Sequence, residues 1–243
     1  MKATARLLPL SLVIGSVACA GPPYVTDDPE PPEPGKWEIY SFVEGVHAHD
    51  ATEGSAGFDI NYGAAKDLQL TIEIPVEYER GDEDHSGLGD IVVAVKRMFI
   101  HQHEGTWVPD VAFYPEIGLP TGADRFTTDK VSAFFPLWAQ KDIDDWSLFG
   151  GGGYGVNPGD GNKDYWLTGF AVTRQVTEKL NIGAEIYRQT ADEVDGESIT
   201  GVGAGMEYEL GGHWALLASI GPQFTHGHTM GTKAFYVSLA FAN

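Results

Sequence analysis

The stretch LQLTIEIPVEYE, residues 68–79, alternates strictly between two kinds of side chain. Its apolar members are Leu68, Leu70, Ile72, Ile74, Val76 and Tyr78, and those between them are Gln69, Thr71, Glu73, Pro75, Glu77 and Glu79. A period of two is typical of a β-strand, which turns successive side chains to opposite faces. At about 3.3 Å per residue the strand spans roughly 35–40 Å, enough to cross a bilayer on a tilted path. One face suits hydrocarbon and the other water, although a half-exposed strand of a soluble sheet alternates in the same way.

The rest of the chain is typical of one all-β domain. Segments of the same kind predict about twelve strands, at 36–48, 56–63, 68–79, 89–99, 107–119, 130–141, 146–156, 165–176, 180–189, 198–210, 214–225 and 233–242. The joining segments alternate between longer polar ones at 49–55, 80–88, 120–129, 157–164, 190–197 and 226–232, and shorter ones at 64–67, 100–106, 142–145, 177–179 and 211–213. Because a membrane barrel has short turns at one rim and long loops at the other, this favours a transmembrane up-and-down antiparallel β-barrel over a soluble sandwich.

Composition and charge narrow the classes of function. The chain has 243 residues and a formal net charge of −20, so it would repel the phosphates of a nucleic acid. Cys19 is its single cysteine and falls in the N-terminal leader, so we expect no thiol chemistry in the mature chain. No run of about 18 apolar residues follows the leader, which disfavours a helical membrane protein.

Residues 1–20 have the pattern of a secretory signal peptide. Lys2 and Arg6 make a basic start, an apolar stretch follows, and small residues precede an expected cut before Gly21. Lipidation of Cys19 is the alternative, which a poor lipobox disfavours. We therefore expect export to the outer membrane of a Gram-negative bacterium.

Residues 21–35, GPPYVTDDPEPPEPG, contain six prolines and four acids. Such a composition has almost nothing to bury and predicts an extended periplasmic lead-in without a strand or helix. The barrel itself is expected to occupy residues 36–243.

Four motifs resemble those of one known family. They are GPPYVTDDPEP at 21–31, EIGLPTG at 116–122, GGGGYGVNPG at 150–159 and TRQVTEKLNIGAEIY at 173–187. Their order is similar to that in a family of outer-membrane β-barrel transporters named for a MetA pathway of phenol degradation. The resemblance covers essentially the whole mature chain and implies a transporter associated with the degradation of aromatic compounds. Its motifs concern turns and barrel wall, so no substrate site is carried over.

Acidic residues fall on the polar face of the predicted strands. The candidate lumen-lining residues are Asp59, Glu73, Glu77, Asp110, Glu116, Glu185, Glu207 and Glu209, with Lys96 and Arg174 as candidate counter-charges. A charge in hydrocarbon costs several kcal/mol, so this face must meet water or opposite charge. Two interpretations stay open: a pathway that prefers cations or polar solutes, or a network that fills a narrow barrel.

Metal and enzyme chemistry have weaker signals. Six of the eight histidines form His-x-His pairs, His47 and His49, His101 and His103, and His226 and His228. Barrel closure would bring the first pair near the third at the external rim, where four imidazoles could hold a metal ion. No carboxylate partner is evident, so we expect no metal or other cofactor. No serine lies in a G-x-S-x-G elbow, so we expect no enzyme.

The sequence thus predicts a passive channel for a small solute, with hydrophobic or aromatic compounds as candidates. The alternative is a structural or adhesion-type barrel with a filled lumen. Expected partners are outer-membrane lipids, an unidentified solute and, during biogenesis, the barrel-assembly machinery, which recognises aromatic-ended terminal strands similar to KAFYVSLAFAN at 233–243. No nucleic-acid partner is expected.

Overall fold

The computed structural model describes residues 23–225 and 228–243, so the predicted signal peptide lies outside the described residues. The strands are β1 (Trp37–Ala48), β2 (Ala51–Ala65), β3 (Leu68–Arg80), β4 (His85–Leu88), β5 (Ile91–Ile100), β6 (Asp110–Phe113), β7 (Glu116–Leu119), β8 (Ser132–Ile143), β9 (Trp146–Val156), β10 (Tyr165–Thr177), β11 (Leu180–Gln189), β12 (Ile199–Gly211), β13 (Trp214–Thr225) and β14 (His228–Ala242). In the described ranges no helix has the length and hydropathy to cross a membrane.

The strands form one closed antiparallel sheet. β4 and β5 lie end to end and both pair with β3, while β6 and β7 lie end to end between β5 and β8. Each of these pairs fills one position in the wall, so the barrel has twelve strand positions, as the sequence predicts. β1 pairs with β14 from Glu38↔Ala242 to His47↔Lys233 and closes the ring. We call the end of the barrel that carries Trp37 and Asn243 the terminal rim, and the opposite end the loop rim.

The two faces of each strand are reversed relative to a soluble protein. In β3 the apolar residues Leu70 and Ile72 are 46% and 37% exposed, whereas Glu73 is 6% exposed. β11 repeats this pattern, with Ile182 and Ile186 exposed and Glu185 buried. A soluble sheet buries its apolar row, so the half-exposed soluble strand is excluded and the outer row suits lipid.

The lengths of the connections agree with the predicted alternation only in part. β2 begins at Ala51 and not at residue 56, because the predicted loop residues pair with β1 and leave His49 and Asp50 as a tight turn, in which His49 has a φ of 54°. β14 likewise begins at His228, earlier than predicted. At the terminal rim, the connection between β5 and β6 covers residues 101–109 and is longer than predicted.

The EIGLPTG motif fixes the base of the loop that follows β7. The carboxylate of Asp90 accepts the backbone N–H groups of Thr121 and Gly122 at 3.1 and 2.9 Å. The hydroxyl of Thr121 accepts the N–H of Ile91 at 2.9 Å. The motif therefore has a structural role, in which it joins this loop to the neighbouring wall position.

Two further loops at the loop rim, residues 157–164 and 190–198, are hydrogen-bonded to each other. The N–H of Lys163 donates to the carbonyl of Asp192 at 2.7 Å, and Val194 donates to Gly161 at 2.9 Å. Burial raises the pKa of the Asp192 carboxyl. These contacts hold the two loops in one arrangement above the wall.

A charged residue placed on the outer face tests directly whether that face contacts hydrocarbon. Phe170 lies midway along β10 between two exposed aromatic positions, Trp166 near the loop rim and Trp146, which pairs with Arg174, near the terminal rim. We expect Phe170→Arg to lower the free energy of unfolding in vesicles by about 2–4 kcal/mol, and Val176→Arg, at the rim end of the same strand, by about 0–1 kcal/mol. Guanidinium titration measures both, and equal losses would contradict a lipid-facing wall.

Candidate functional site in the barrel lumen

Most of the predicted lining residues do face the lumen. Those buried on the inner row are Asp59, Glu73, Asp110, Glu116, Glu185 and Lys96. Glu77 is half-buried on the same row of β3. Glu207 and Glu209 are exposed near the end of β12, with Glu207 paired across the ladder to the buried Leu217.

Arg174 is the exception, because it lies on the outer face. β10 buries Ala171 and Thr173, so the period of two turns Arg174 outward, where its guanidinium lies 5.1 Å from the centroid of the Trp146 ring. The assignment of Arg174 to the lumen is therefore corrected. The sequence of β10 has bulky residues on both faces, which hides the side that points inward.

A buried network of amides, hydroxyls and the Asp59 carboxylate occupies one side of the lumen. The amide oxygen of Asn61 accepts hydrogen bonds from Gln69 and Thr71, both at 2.6 Å. The Asn61 amide nitrogen donates to Asp59 at 3.0 Å, and the Tyr114 hydroxyl donates to Thr71 at 3.0 Å. Buried polar groups are costly without partners, and here the inner rows of β2 and β3 supply partners to each other.

The lumen also contains the chain's own N-terminal segment, residues 23–35. Its side chains at Tyr24, Thr26 and Asp27 are 6%, 0% and 0% exposed. The segment contacts Ser219 of β13, Glu185 of β11 and Lys96 of β5, which belong to different parts of the ring, so it passes through the interior. It contains no strand or helix, as predicted, but the expectation that it has almost nothing to bury is wrong.

Glu185 binds the backbone of this segment. Its carboxylate accepts the N–H groups of Val25 and Thr26, both at 3.1 Å, and the hydroxyl of Thr26 at 3.2 Å. An extended segment has no internal hydrogen bonds, so its buried N–H groups need partners from the wall. Glu185 supplies these partners, which gives a buried acid of the lumen a defined role.

Lys96 binds the segment through charge. Its ammonium lies 3.0 Å from a carboxylate oxygen of Asp27, donates to the carbonyl of Asp28 at 2.8 Å, and lies 4.7 Å from the centroid of the Tyr114 ring. Among the described residues, Lys96 is the only buried lysine or arginine. The pair is fully removed from water, so each charge depends on the other.

Glycines in the wall make room for the segment. A Cβ on Gly169 of β10 would lie 2.1 Å from the Thr26 hydroxyl, and one on Gly183 of β11 would lie 2.6 Å from the Tyr24 hydroxyl. Burial, followed by the charges of Glu185 and Glu207, raises the pKa of Tyr24, so its hydroxyl stays neutral. Inward-facing glycines in neighbouring strands were the one sequence signal that could have indicated an occupant.

An apolar cluster lines another part of the lumen. Its buried members are Ala94, Tyr114, Phe134, Trp138, Tyr165, Leu167 and Tyr187, and Val25 of the segment packs against it. The rings of Phe134 and Tyr165 stack with centroids 6.1 Å apart. The inner surface therefore combines carboxylates with an aromatic wall.

Of the two histidine pairs predicted to meet at the external rim, the structure describes the side chains of the first pair. His47 and His49 lie at the end of β1 beside β14, and Nδ1 of His47 lies 2.8 Å from the Thr52 hydroxyl. The side chains of His226 and His228 lie outside the described residues. Within the described part of the chain, Glu30, Asp110 and Asp142 form the one acidic group whose ligand atoms lie within 4.8 Å of one another.

The family model described as "Putative MetA-pathway of phenol degradation" matches residues 24–241. The chain belongs to this family. The match confirms the resemblance to this family and extends from the N-terminal segment to the last strand.

Solved structures similar to this member of the MetA family are barrels. An outer-membrane channel from Pseudomonas putida F1 has a TM-score of 0.71 at 11% identity, with 89% of this chain and 98% of that chain covered. The KdgM porin, in complex with disordered oligogalacturonate, has a TM-score of 0.57 at 11% identity, covering 84% and 98%. The translocator domain of the autotransporter NalP from Neisseria meningitidis gives 0.53 at 12%, covering 85% and 88%. These likenesses show a channel- and porin-like barrel fold. No curated protein shows significant similarity in sequence.

Removal of the buried cation should release the N-terminal segment. In Lys96→Met, Asp27 is left without its counter-charge, which costs about 3–5 kcal/mol for a buried pair. We expect the amides of Val25 and Thr26, measured by hydrogen exchange, to lose protection by up to that amount. Adding Asp27→Asn should restore part of the protection, because the unpaired charge is then absent. Unchanged exchange in Lys96→Met would contradict the ion pair as the anchor of the segment.

Proposed function

We propose that this chain is a passive channel in the outer membrane of a Gram-negative bacterium, exported by the signal peptide at residues 1–20, and that its N-terminal segment restricts the lumen. The observation that carries the proposal is that the occupant of the lumen is separate from the wall. The wall strands pair with one another around the whole ring, and the segment is held mainly by side chains such as Lys96 and Glu185. Movement of the segment would therefore open a polar path without breaking the barrel.

The chemistry of the lumen supports small neutral or cationic solutes with an apolar part. Buried carboxylates, including Glu73 and Glu116, outnumber the single buried cation Lys96 among the described residues, and the cluster around Trp138 offers aromatic surface. The KdgM porin was solved with oligogalacturonate, a polyanion, and the acidic lumen here opposes that class of ligand. Small aromatic compounds, as the family name suggests, fit both features.

We propose that the chain acts without catalysis. The similar structures described above include a channel and a porin, and the groups of the lumen are engaged in holding the segment and the polar network. Glu185, for example, already accepts three hydrogen bonds from Val25 and Thr26.

A structural or adhesion-type barrel is the second candidate. The specific observation in its favour is that the network around Asn61 and the segment at residues 23–35 both occupy the lumen and are buried there. In that case the segment would be a permanent part of the core, and the exposed loops at the loop rim would carry the structural or adhesive function.

Conductance in planar bilayers separates the two candidates. We expect small stepwise currents from the intact barrel and larger ones after deletion of residues 23–35, because the wall stays closed without them. We also expect the currents to favour cations and to show a weaker preference in Glu73→Gln/Glu77→Gln, which removes two of the lumen carboxylates. Glu104→Gln, in an exposed terminal-rim connection, is the matched control and should keep the preference.

A silent membrane from both the intact and the deleted chain would refute the channel. The test requires that each chain show the heat-dependent shift in gel migration of a folded barrel. A folded but silent deletion variant would support the filled barrel, because the wall side chains alone would then block the lumen.

A further inference from the structure

The connection between β5 and β6, residues 101–109, is unusual for the terminal rim. Other turns at this rim are tight, for example residues 66–67 and 178–179. Within the long connection, Trp107 is 88% exposed and Val108 is 40% exposed. An indole so exposed on a turn needs an explanation, because large aromatic side chains normally have a partner.

Lys141 joins this turn to β8. β8 buries Trp138 and Gln140 on its inner row, so Lys141 points outward. Its ammonium lies 3.4 Å from the carbonyl oxygen of His103 and 3.3 Å from that of Val108, and donates to both. The carbonyls of His103 and Val108, on either side of the tip, are thus both bound by an outward-pointing side chain of β8.

The turn is also fixed at its base. The backbone N–H of Gln102 donates to the Asp110 carboxylate at 2.8 Å. The side-chain amide of Gln102 donates to the Asp142 carboxylate at 2.6 Å and accepts the backbone N–H of Asp142 at 3.1 Å. Thr106 closes the tip by donating its N–H to His103 at 3.2 Å. A turn held by this many bonds presents Trp107 in a defined place.

The outer wall beside the turn carries apolar side chains as well as the charged Arg97 and Lys141. Phe99 and Ile100, which end β5, are 52% and 39% exposed, and Phe113 of β6 is 38% exposed. A register shift lies between Met98 and Ile100, so the period of two is interrupted where these two exposed residues end β5. Trp107 and Val108 thus follow directly in the chain from the end of a wall position that carries exposed apolar residues.

We propose that residues 101–109 form a membrane anchor, in which Trp107 and Val108 insert into the headgroup region of the inner leaflet of the outer membrane. Indole prefers this region, since its ring is apolar and its N–H can bond to water or headgroups. A lipid surface is favoured over a soluble protein because the patch follows directly in the chain from the lipid-facing wall. The inference rests on the proposed membrane location and orientation but does not depend on conduction.

The test places a fluorophore at the tip of the turn. The full chain carrying Cys19→Ser and Trp107→Cys is labelled with an environment-sensitive dye and folded into vesicles of phosphatidylethanolamine and phosphatidylglycerol. Lys179→Cys, in a tight turn of the same rim, is the matched aqueous control, and Val95→Cys, on the outer wall, is the lipid control.

Nitroxide lipids labelled near the headgroup should quench the dye at residue 107 at least about twice as strongly as the dye at residue 179. Iodide dissolved in the water should quench the dye at residue 107 less than the dye at residue 179. Adding Lys141→Met, which removes the bonds to His103 and Val108, should shift the dye at residue 107 towards water. Lys130→Met, at an exposed loop position, should leave it unchanged.

Quenching at residue 107 that matches residue 179 would overturn the anchor and leave the turn free for an aqueous partner. The Trp107→Cys variant without Lys141→Met is sufficient for this comparison. A folding defect in Lys141→Met would therefore not rescue the proposal. A lipid-buried residue 107 in a barrel that is silent both with and without residues 23–35 would refute the channel and keep the anchor.

Discussion

One constraint governs this structure: the hydrocarbon of a membrane contains no water that could form hydrogen bonds with the backbone. A backbone N–H or C=O left unpaired there costs several kcal/mol, so a sheet that spans the membrane must have no edge. Pairing of β1 with β14 satisfies this requirement and joins the first and last strands of the chain. Closure also divides every strand into a row that meets lipid and a row that faces a confined space.

That confined space sets the second demand of the structure. Its inner row is polar, since residues such as Glu73 and Glu185 are buried there, and buried charge needs partners. The chain meets part of the demand with its own N-terminal segment, which brings Asp27 to Lys96 and backbone N–H groups to Glu185. Closure of the ring and occupation of the lumen are thus two results of one constraint.

The sequence predicted the features that follow from the alternation of apolar and polar side chains along a strand. The strict alternation of β3 and β11 gave the correct lipid and lumen faces, and the number of wall positions followed from counting such segments. It misplaced Arg174, because β10 carries bulky residues on both faces and only burial shows which row is inside. It also ended the loop after β1 too late, because the polar stretch Ala51–Ser55 pairs with β1 despite its composition.

The sequence analysis missed the occupant of the lumen for a different reason. A proline-rich acidic segment has the composition of a linker, and its partners Lys96 and Glu185 lie 69 residues from Asp27 and 159 residues from Thr26. Only the closed ring brings these residues together. The same is true of Lys141 and the turn around Trp107, which meet because β8 and β6 are neighbours in the wall.

The central claim is that the apolar rows touch lipid and that this contact drives folding. The most direct measurement compares circular dichroism and heat-dependent gel migration of the leaderless chain in plain buffer and after addition of phospholipid vesicles. We predict that the strand signal and the compact, heat-sensitive form arise only with vesicles. A compact, folded monomer that stays dissolved in buffer alone would contradict the claim.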